Sequence, residues 1–307
     1  MRSEFGDRER AAAETLITIA LAEDLGTTGD LTSQAVIDSA MRARVAIVAR
    51  QTGILAGMPV VGMVFHSLDS RVQIAVNVAD GEVVQPGQVL ATLSGPLRSL
   101  LSGERTALNF LTHLSGVATL TRRFVDAIAG SKAEILDTRK TLPGWRVLDK
   151  YAVRMGGGMN HRMGLYDEVL IKDNHLAGWA EFHPGATIRE VIRRAREQAG
   201  QRQRESANPY VTIPIGVEVE TLEQLSDALQ AHPDLVLLDN MDLPTLHQAV
   251  RLRDQIAPEV KLEASGNVTL KNVAEIAATG VDRISIGSLT HSAAALDIAF
   301  DWHPSAE

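Results

Sequence analysis

Beyond residue 130 the chain alternates short apolar runs with helical stretches, and this alternation restricts the fold more than any other feature. The runs are AEILD (133–137), EVLIK (168–172), IGVEVE (215–220), LVLLD (235–239), KLEAS (261–265) and RISIG (283–287). Alternating strands and helices imply parallel β/α units, and right-handed crossovers curl such units toward a barrel. Only these six runs can be read, where a closed barrel has eight strands. Either an incomplete barrel or an unread strand is expected.

The first part of the chain has a different rhythm. Residues 7–25 read as an amphipathic helix ended by Gly26. Residues 43–98 read as short strands, with VAIVAR and VQIAVNV rich in β-formers. GEVVQPGQVLATLSG places turn residues at hairpin spacing. A helical pattern returns over 103–130, with Ser115-Gly116 as a candidate interruption. The polar stretch 196–210 reads as a surface insertion.

Charge narrows the function. The net charge of -8 argues against general nucleic-acid binding. Yet the six lysines all lie at or after Lys132, and Lys140, Lys150 and Lys172 share one stretch with Arg139, Arg146, Arg154, His161 and Arg162. An acidic chain with one concentrated basic stretch suggests a local site for a small polyanion. The chain has no cysteine, which excludes disulfides, thiolate metal sites and a cysteine nucleophile and suits a reducing cytoplasm. Its apolar runs are too short to span a bilayer, and its N-terminus lacks the apolar core of a signal peptide.

Each run ends in residues able to do chemistry. These are Thr138-Arg139-Lys140, Lys172, Glu218 with Glu220, Asp239, Ser265-Gly266-Asn267 and Gly287-Ser288. In β/α barrels the active site lies at the carboxyl ends of the strands. Arg139, Lys140, Arg162 and Lys172 would converge there, repel one another and require an anionic ligand. Glu218 and Asp239 are hard oxygen donors suited to Mg2+ carrying a phosphate-rich substrate, or equally salt-bridge partners of the cations. Backbone N–H groups at Ser265-Gly266-Asn267 and Gly287-Ser288 can hold a phosphate. Taken singly, these residues have plainer readings: Arg139-Lys140 as a solvated pair, His161 as a packed histidine, the glycines of GGGMNHR as a turn. His66, His113, His183, His232, His247 and His303 are given no role, and Asp173, Asn174 and His175 are read as holding the Lys172 loop. DGEVVQPGQVLATLSG also looks like a biotinyl or lipoyl carrier hairpin, but no lysine precedes Lys132 to carry the group.

The segment TRKTLPGWRVLDKYAVRMGGGMNHRMGLYDEVLIKDNH resembles the signature of the decarboxylating quinolinate phosphoribosyltransferases, also called nicotinate-nucleotide pyrophosphorylases (carboxylating). EDLGTTGDLTS, ERTALNFLTHLSGVATLT, VEVE, LLDN, EASGN and SIGSLTHSA match in the same order, so the resemblance covers about residues 23–298. The departures are Trp145 in place of a smaller apolar residue, Ser288 in place of alanine, and the 196–210 stretch. The resemblance implies an α/β protein with an N-terminal α/β sandwich over 1–130, including a linking helix, and an open, incomplete α/β barrel of seven strands over 131–290. The chain could return to the first domain at 291–307. Arg105, Thr138, Arg139, His161, Arg162 and Lys172 would hold quinolinate. Lys140, Lys172, Glu218 and Asp239 would serve phosphoribosyl pyrophosphate and its Mg2+, with Lys140, Glu218 and Asp239 as the catalytic set. Ser265, Gly266, Asn267, Ile286, Gly287, Ser288 and His291 would take the 5′-phosphate. The implied protein is a cytoplasmic homodimer with a shared site, or a higher oligomer, taking part in NAD biosynthesis; its charge and its short apolar runs argue against nucleic-acid and membrane partners.

Three other readings compete. A related molybdenum-locus protein shares the fold, but the NHR and IKDNH segments favour the quinolinate enzyme. A Schiff-base aldolase would use Lys172 as nucleophile, which Glu218 and Asp239 oppose. A non-enzymatic scaffold leaves the strand-end charges unexplained. Chain geometry bears separately on Arg105. A helix continuous to about residue 130 would be roughly 40 Å long, against about 17 Å for a five-residue strand. It would overshoot the barrel rim and carry Arg105 to a neighbouring subunit; a break at Ser115-Gly116 would fold it back.

Overall fold

The structure is a computed structural model and describes residues 5–205 and 212–303. Its strands are β1 (Arg42–Ala49), β2 (Gly53–Ile54), β3 (Gln73–Val76), β4 (Val83–Val84), β5 (Val89–Pro96), β6 (Glu134–Leu136), β7 (Val169–Ile171), β8 (Ile215–Val219), β9 (Leu235–Asp239), β10 (Lys261–Ser265), β11 (Arg283–Ser285) and β12 (Ile298–His303). The chain divides into two compact units. One comprises Met1–Arg123, Lys140–Gly158 and Ser288–Glu307; the other comprises Phe124–Arg139 and Met159–Gly287.

The first unit is built on an antiparallel sheet ordered β12-β1-β5-β3, beside the small pair β2-β4. Val45 to Ala49 of β1 are buried, as a central strand requires. The first helix spans Asp7–Leu25 and ends at Gly26, whose φ of 52° a side chain would disfavour. Its buried positions are few: Glu9, Ala13 and Ile17.

Three expectations are corrected in this unit. Met58–Leu68 is a helix within the region read as strands. Its valines suit a strand, but Pro59 opens the first turn, and Asp80 accepts the amides of Gly57 (2.7 Å) and Met58 (3.1 Å), capping the start. GEVVQPGQVLATLSG is no hairpin, because β4 pairs with β2 while β5 pairs with β1 and β3. The long helix runs unbroken over Leu97–Ala127, so Arg105 lies inside it and not at its start. Ser115 and Gly116 serve packing. The Ser115 hydroxyl accepts the Ala56 amide at 3.0 Å and donates to the Ala56 carbonyl at 3.2 Å. A Cβ on Gly116 would lie 2.2 Å from the Ala294 carbonyl oxygen, so only glycine allows this approach. Trp145 has a clear place, stacked on Phe110 with ring centroids 5.0 Å apart.

The second unit is a parallel sheet ordered β6-β11-β10-β9-β8-β7, with the two ends unpaired to each other. The six strands coincide with the six apolar runs, although β6, β7 and β11 are three residues long and the central strands five. The resemblance implied seven strands; among the described residues the sheet has six, and one isolated parallel bridge joins Leu136 to Met159. Met159 exchanges bonds with Ile135 (2.8 Å) and Asp137 (3.3 Å), but Gly157 before it has a φ of 92° and Asn160 after it turns toward Asp137, so pairing stops. The polar stretch at 196–210 is also corrected. Residues 196–205 continue a helix, Ile188–Glu205, which buries Ile192 and Ala199; residues 206–210 lie outside the described residues. Among the described residues no helix is long and apolar enough to cross a membrane.

Candidate active site

Parallel pairing sets Glu218 of β8, Leu237 of β9, Glu263 of β10 and Arg283 of β11 in one row across the second unit's sheet. Residues paired across strands point to the same face. On this face Leu170, Leu235 and Leu237 form a buried cluster. Toward the carboxyl ends it becomes charged. Asp239 and Ser265 form the next row, and the Ser265 hydroxyl donates to Asp239 Oδ1 at 2.9 Å. Asn240 Nδ2 donates to Asp239 Oδ2 at 2.8 Å, so both oxygens of the carboxylate are oriented.

Lys172, just past β7, makes a short ion pair with Glu218. This contact engages the amine with a carboxylate, where an aldolase needs it free to attack a carbonyl. The loop beyond β10 is tight. Gly266 has a φ of 90°, and a Cβ there would sit 2.1 Å from Asn240 Oδ1. Asn267, at a φ of 52°, donates from Nδ2 to the same Asn240 oxygen at 3.0 Å. The Ile286 amide donates to the Leu136 carbonyl at 2.9 Å and brings Gly287 beside the end of β6.

The loop that carries His161 and Arg162 is held by acids that accept its backbone amides. Asp137, wholly buried, accepts Asn160 Nδ2 at 2.5 Å and the His161 amide at 3.0 Å. His161 Nδ1 accepts the Arg162 amide at 2.7 Å. Asp167 accepts the amides of Met163 (2.7 Å) and Gly164 (3.1 Å), and Arg162 Nη1 donates to the Glu168 carbonyl at 3.2 Å. Burial lowers the Arg162 pKa, and the Arg139 charge lowers it further. The second cause places two like charges together, and an anion would relieve them. Burial also raises Glu168, and it raises Glu263 to about 7 despite the opposing Arg283 charge.

That last shift has a consequence for stability. A carboxyl raised in the folded state favours folding below its ordinary pKa, and this contribution is lost as pH rises through about 7. Glu263→Gln cannot ionise. It is therefore expected to gain stability relative to the parent between pH 5 and pH 8, by about 3 kcal/mol at most. Denaturant titration at both pH values checks this; a parallel pH response in the two proteins would contradict it.

The remaining sequence-predicted residues lie in the first unit. Arg105 is exposed on the long helix. Lys140 is exposed, and its carbonyl accepts the Thr290 hydroxyl at 2.8 Å. Ser288 opens the short helix Ser288–His291, and His291 Nδ1 lies 2.6 Å from the Ser292 hydroxyl. In the second unit the structure brings Thr138, Arg139, His161, Arg162, Lys172, Glu218, Asp239, Ser265, Gly266, Asn267, Ile286 and Gly287 to the strand ends and the loops that follow them. Sequence reasoning passed over Asp137, Glu168, Asn240 and Glu263. Glu263 did leave a signal, a lone acid in the middle of a buried strand.

A parallel α/β sheet with crowded cations, hard carboxylates and a tight glycine loop at its carboxyl edge defines an enzyme class that handles small polyanions. Comparison with known proteins gives the particular family. Residues 30–115 match the quinolinate phosphoribosyl transferase N-terminal domain and residues 117–301 its C-terminal domain. The chain is 43% identical over 299 residues to the nicotinate-nucleotide pyrophosphorylase [carboxylating] of Mycobacterium leprae, covering 97% of this chain and 99% of that one. It is 38% identical over 301 residues to quinolinate phosphoribosyltransferase [decarboxylating] 1 of Nicotiana glauca, covering 92% of this chain and 80% of that one. The crystal structure of NadC from Streptococcus pyogenes superposes with a TM-score of 0.84 at 36% identity, covering 95% of this chain and 97% of that one. The chain belongs to the quinolinate phosphoribosyltransferase family and is a phosphoribosyltransferase.

Proposed function

We propose that the protein transfers phosphoribosyl from phosphoribosyl pyrophosphate to the nitrogen of quinolinate, releasing pyrophosphate and carbon dioxide and leaving nicotinate mononucleotide. The observation that carries this reading is the crowding of Arg139 against Arg162, whose pKa is lowered by burial and then by the Arg139 charge, beside His161. That is more positive charge than one carboxylate requires. Arg139, Arg162 and Lys172, with Thr138 and His161 beside them, would bind the two carboxylates. Lys140 and Lys172 would face the pyrophosphate. Ser265, Gly266, Asn267, Ile286, Gly287, Ser288 and His291 would receive the 5′-phosphate.

Chemistry then follows from charge. The C1–O bond of the ribose breaks with its electron pair leaving on pyrophosphate, and cations stabilise that developing charge. A strand-end carboxylate steadies the positive charge on the ribose. The pyridine nitrogen supplies the pair for the new bond and becomes cationic. The adjacent carboxylate leaves as carbon dioxide, its bonding pair stays on the ring carbon, and a proton completes the product. No protein nucleophile takes part.

Glu218 and Asp239 suit Mg2+, being hard oxygen donors on neighbouring strands. The described residues hold no group of three or more metal-ligating side chains, so substrate oxygens and water would complete the shell. Mg2+ bound there would neutralise the pyrophosphate as it departs. Asp239→Asn is expected to raise the KM for phosphoribosyl pyrophosphate by about tenfold or more, one carboxylate contact being worth about 1.5–3 kcal/mol. Its KM for quinolinate should change little. Full activity in excess chelator would refute the metal role.

We further propose a cytoplasmic homodimer whose sites each take Arg105 from the neighbouring subunit. The unbroken helix Leu97–Ala127 supports this, because the break that would fold Arg105 back is absent from it. The function itself is tested by incubation with quinolinate, phosphoribosyl pyrophosphate and Mg2+. Nicotinate mononucleotide is the expected product, and nicotinic acid, lacking the second carboxylate, should react very poorly. Equal turnover of the two acids would overturn the assignment.

A further inference from the structure

Glu263 is a buried acid that the proposed reaction does not use. It sits in the middle of β10 with no exposed surface, and neither carboxyl oxygen makes a hydrogen bond of normal geometry. Burying a polar group without a partner is costly, so the position calls for an explanation.

The neighbour that explains it is His161. Its Nε2 lies 3.4 Å from Glu263 Oε1, longer than a tight hydrogen bond but close enough for strong electrostatic bias. Its other ring nitrogen, Nδ1, accepts the Arg162 amide at 2.7 Å. A nitrogen that accepts an N–H carries no proton of its own. The ring proton therefore sits on Nε2, the nitrogen facing Glu263. An oxygen at that position adds to the bias toward this tautomer, and an apolar group removes that support.

The tautomer matters because of what it holds. The amide accepted by Nδ1 is that of Arg162, so this bond sets the backbone from which the Arg162 side chain leaves. The rest of the loop is already fixed, by Asp137 on the His161 amide and by Asp167 on the Met163 and Gly164 amides. Burial disfavours the charged form of Glu263. Arg283 and Ser285 favour the carboxylate, while Glu168 and Asp137 oppose it. Ionised or protonated, the side chain keeps an oxygen able to face Nε2–H.

We propose that Glu263 is a positioning residue, which selects the Nε2–H tautomer of His161 and thereby aims Arg162 at a carboxylate of the ligand. The identity of that ligand rests on the function proposed above; the selection of the tautomer does not.

The test uses the full-length protein and three variants. Glu263→Gln keeps an acceptor oxygen at the position. Glu263→Leu fills similar space without one, and by removing a buried carboxyl it is expected to fold. His161→Gln identifies the His161 signals by their loss. In nitrogen NMR of 15N-histidine-labelled protein without substrate, the parent and Glu263→Gln should show His161 as the Nε2–H tautomer. Glu263→Leu should show it lost or mixed. In kinetics, Glu263→Leu should raise the KM for quinolinate about tenfold and leave that for phosphoribosyl pyrophosphate unchanged, and Glu263→Gln should restore it. An unchanged tautomer in Glu263→Leu overturns the proposal, and so does an unchanged quinolinate KM alongside an altered tautomer. The NMR measurement contains no substrate, so it judges the Glu263–His161 coupling even if the protein does not turn over quinolinate.

Discussion

Arg162→Ala is expected to weaken quinolinate binding by about two orders of magnitude, and Arg139→Ala by a similar amount. A charge-assisted hydrogen bond contributes about 1.5–3 kcal/mol, and a fork-to-carboxylate contact contains two parallel bonds. Each tenfold loss of affinity corresponds to about 1.4 kcal/mol. The two losses should not add. In the free protein the Arg139 charge disfavours the charged form of Arg162, so the first removal also relieves repulsion. Arg162→Lys should restore the charge but not the planar fork, and so recover only part of the affinity. Calorimetry with quinolinate measures all three variants directly. Native affinity in both alanine variants would remove the second unit's strand ends as the quinolinate site.

Mixing two inactive variants should regenerate activity. Arg105→Ala and Lys172→Ala are each expected to be nearly inactive alone, because Arg105 and Lys172 are both proposed to contact the substrates. Arg105 lies on the helix Leu97–Ala127, about 33 Å from its carboxyl end at the standard rise. That reach exceeds the span of a strand, and the helix can present its side chains to another subunit. If the neighbour's site uses Arg105, a mixed dimer has one site with both defects and one with neither. Random exchange of equal amounts then restores about a quarter of the parent activity. If Arg105 serves its own chain, every site keeps one defect and mixing restores nothing. Verified subunit exchange without recovery would exclude the shared site.

The sequence by itself determined the parallel half of the fold. Six apolar runs became six strands, because a strand covered on both faces must be apolar almost throughout and cannot be mistaken for surface. It also located the strand-end cations and carboxylates, since a charge directly after a buried strand has few other places to go. The first unit was less legible. MPVVGMVFHSL has the valines of a strand, and its helix depends on the cap from Asp80, more than ten residues downstream. GEVVQPGQVLATLSG has hairpin spacing, and only the competing strands β1, β2 and β3 decided that its two halves belong to different sheets. Ser115-Gly116 looks like a helix breaker, yet Gly116 sits mid-helix because another backbone segment passes within contact distance of it.

The same division runs through the site. His161 and Arg162 could be read as charges in a motif, but the sequence did not reveal that one ring nitrogen of His161 holds the Arg162 backbone while the other faces a buried acid 102 positions along the chain. Local patterns report how a residue treats its near neighbours and solvent. They carry no record of which distant group shares its low-dielectric surroundings. Only tertiary packing brings Glu263, Glu168 and Asp137 around His161, and burial there shifts the Glu263 carboxyl to about 7.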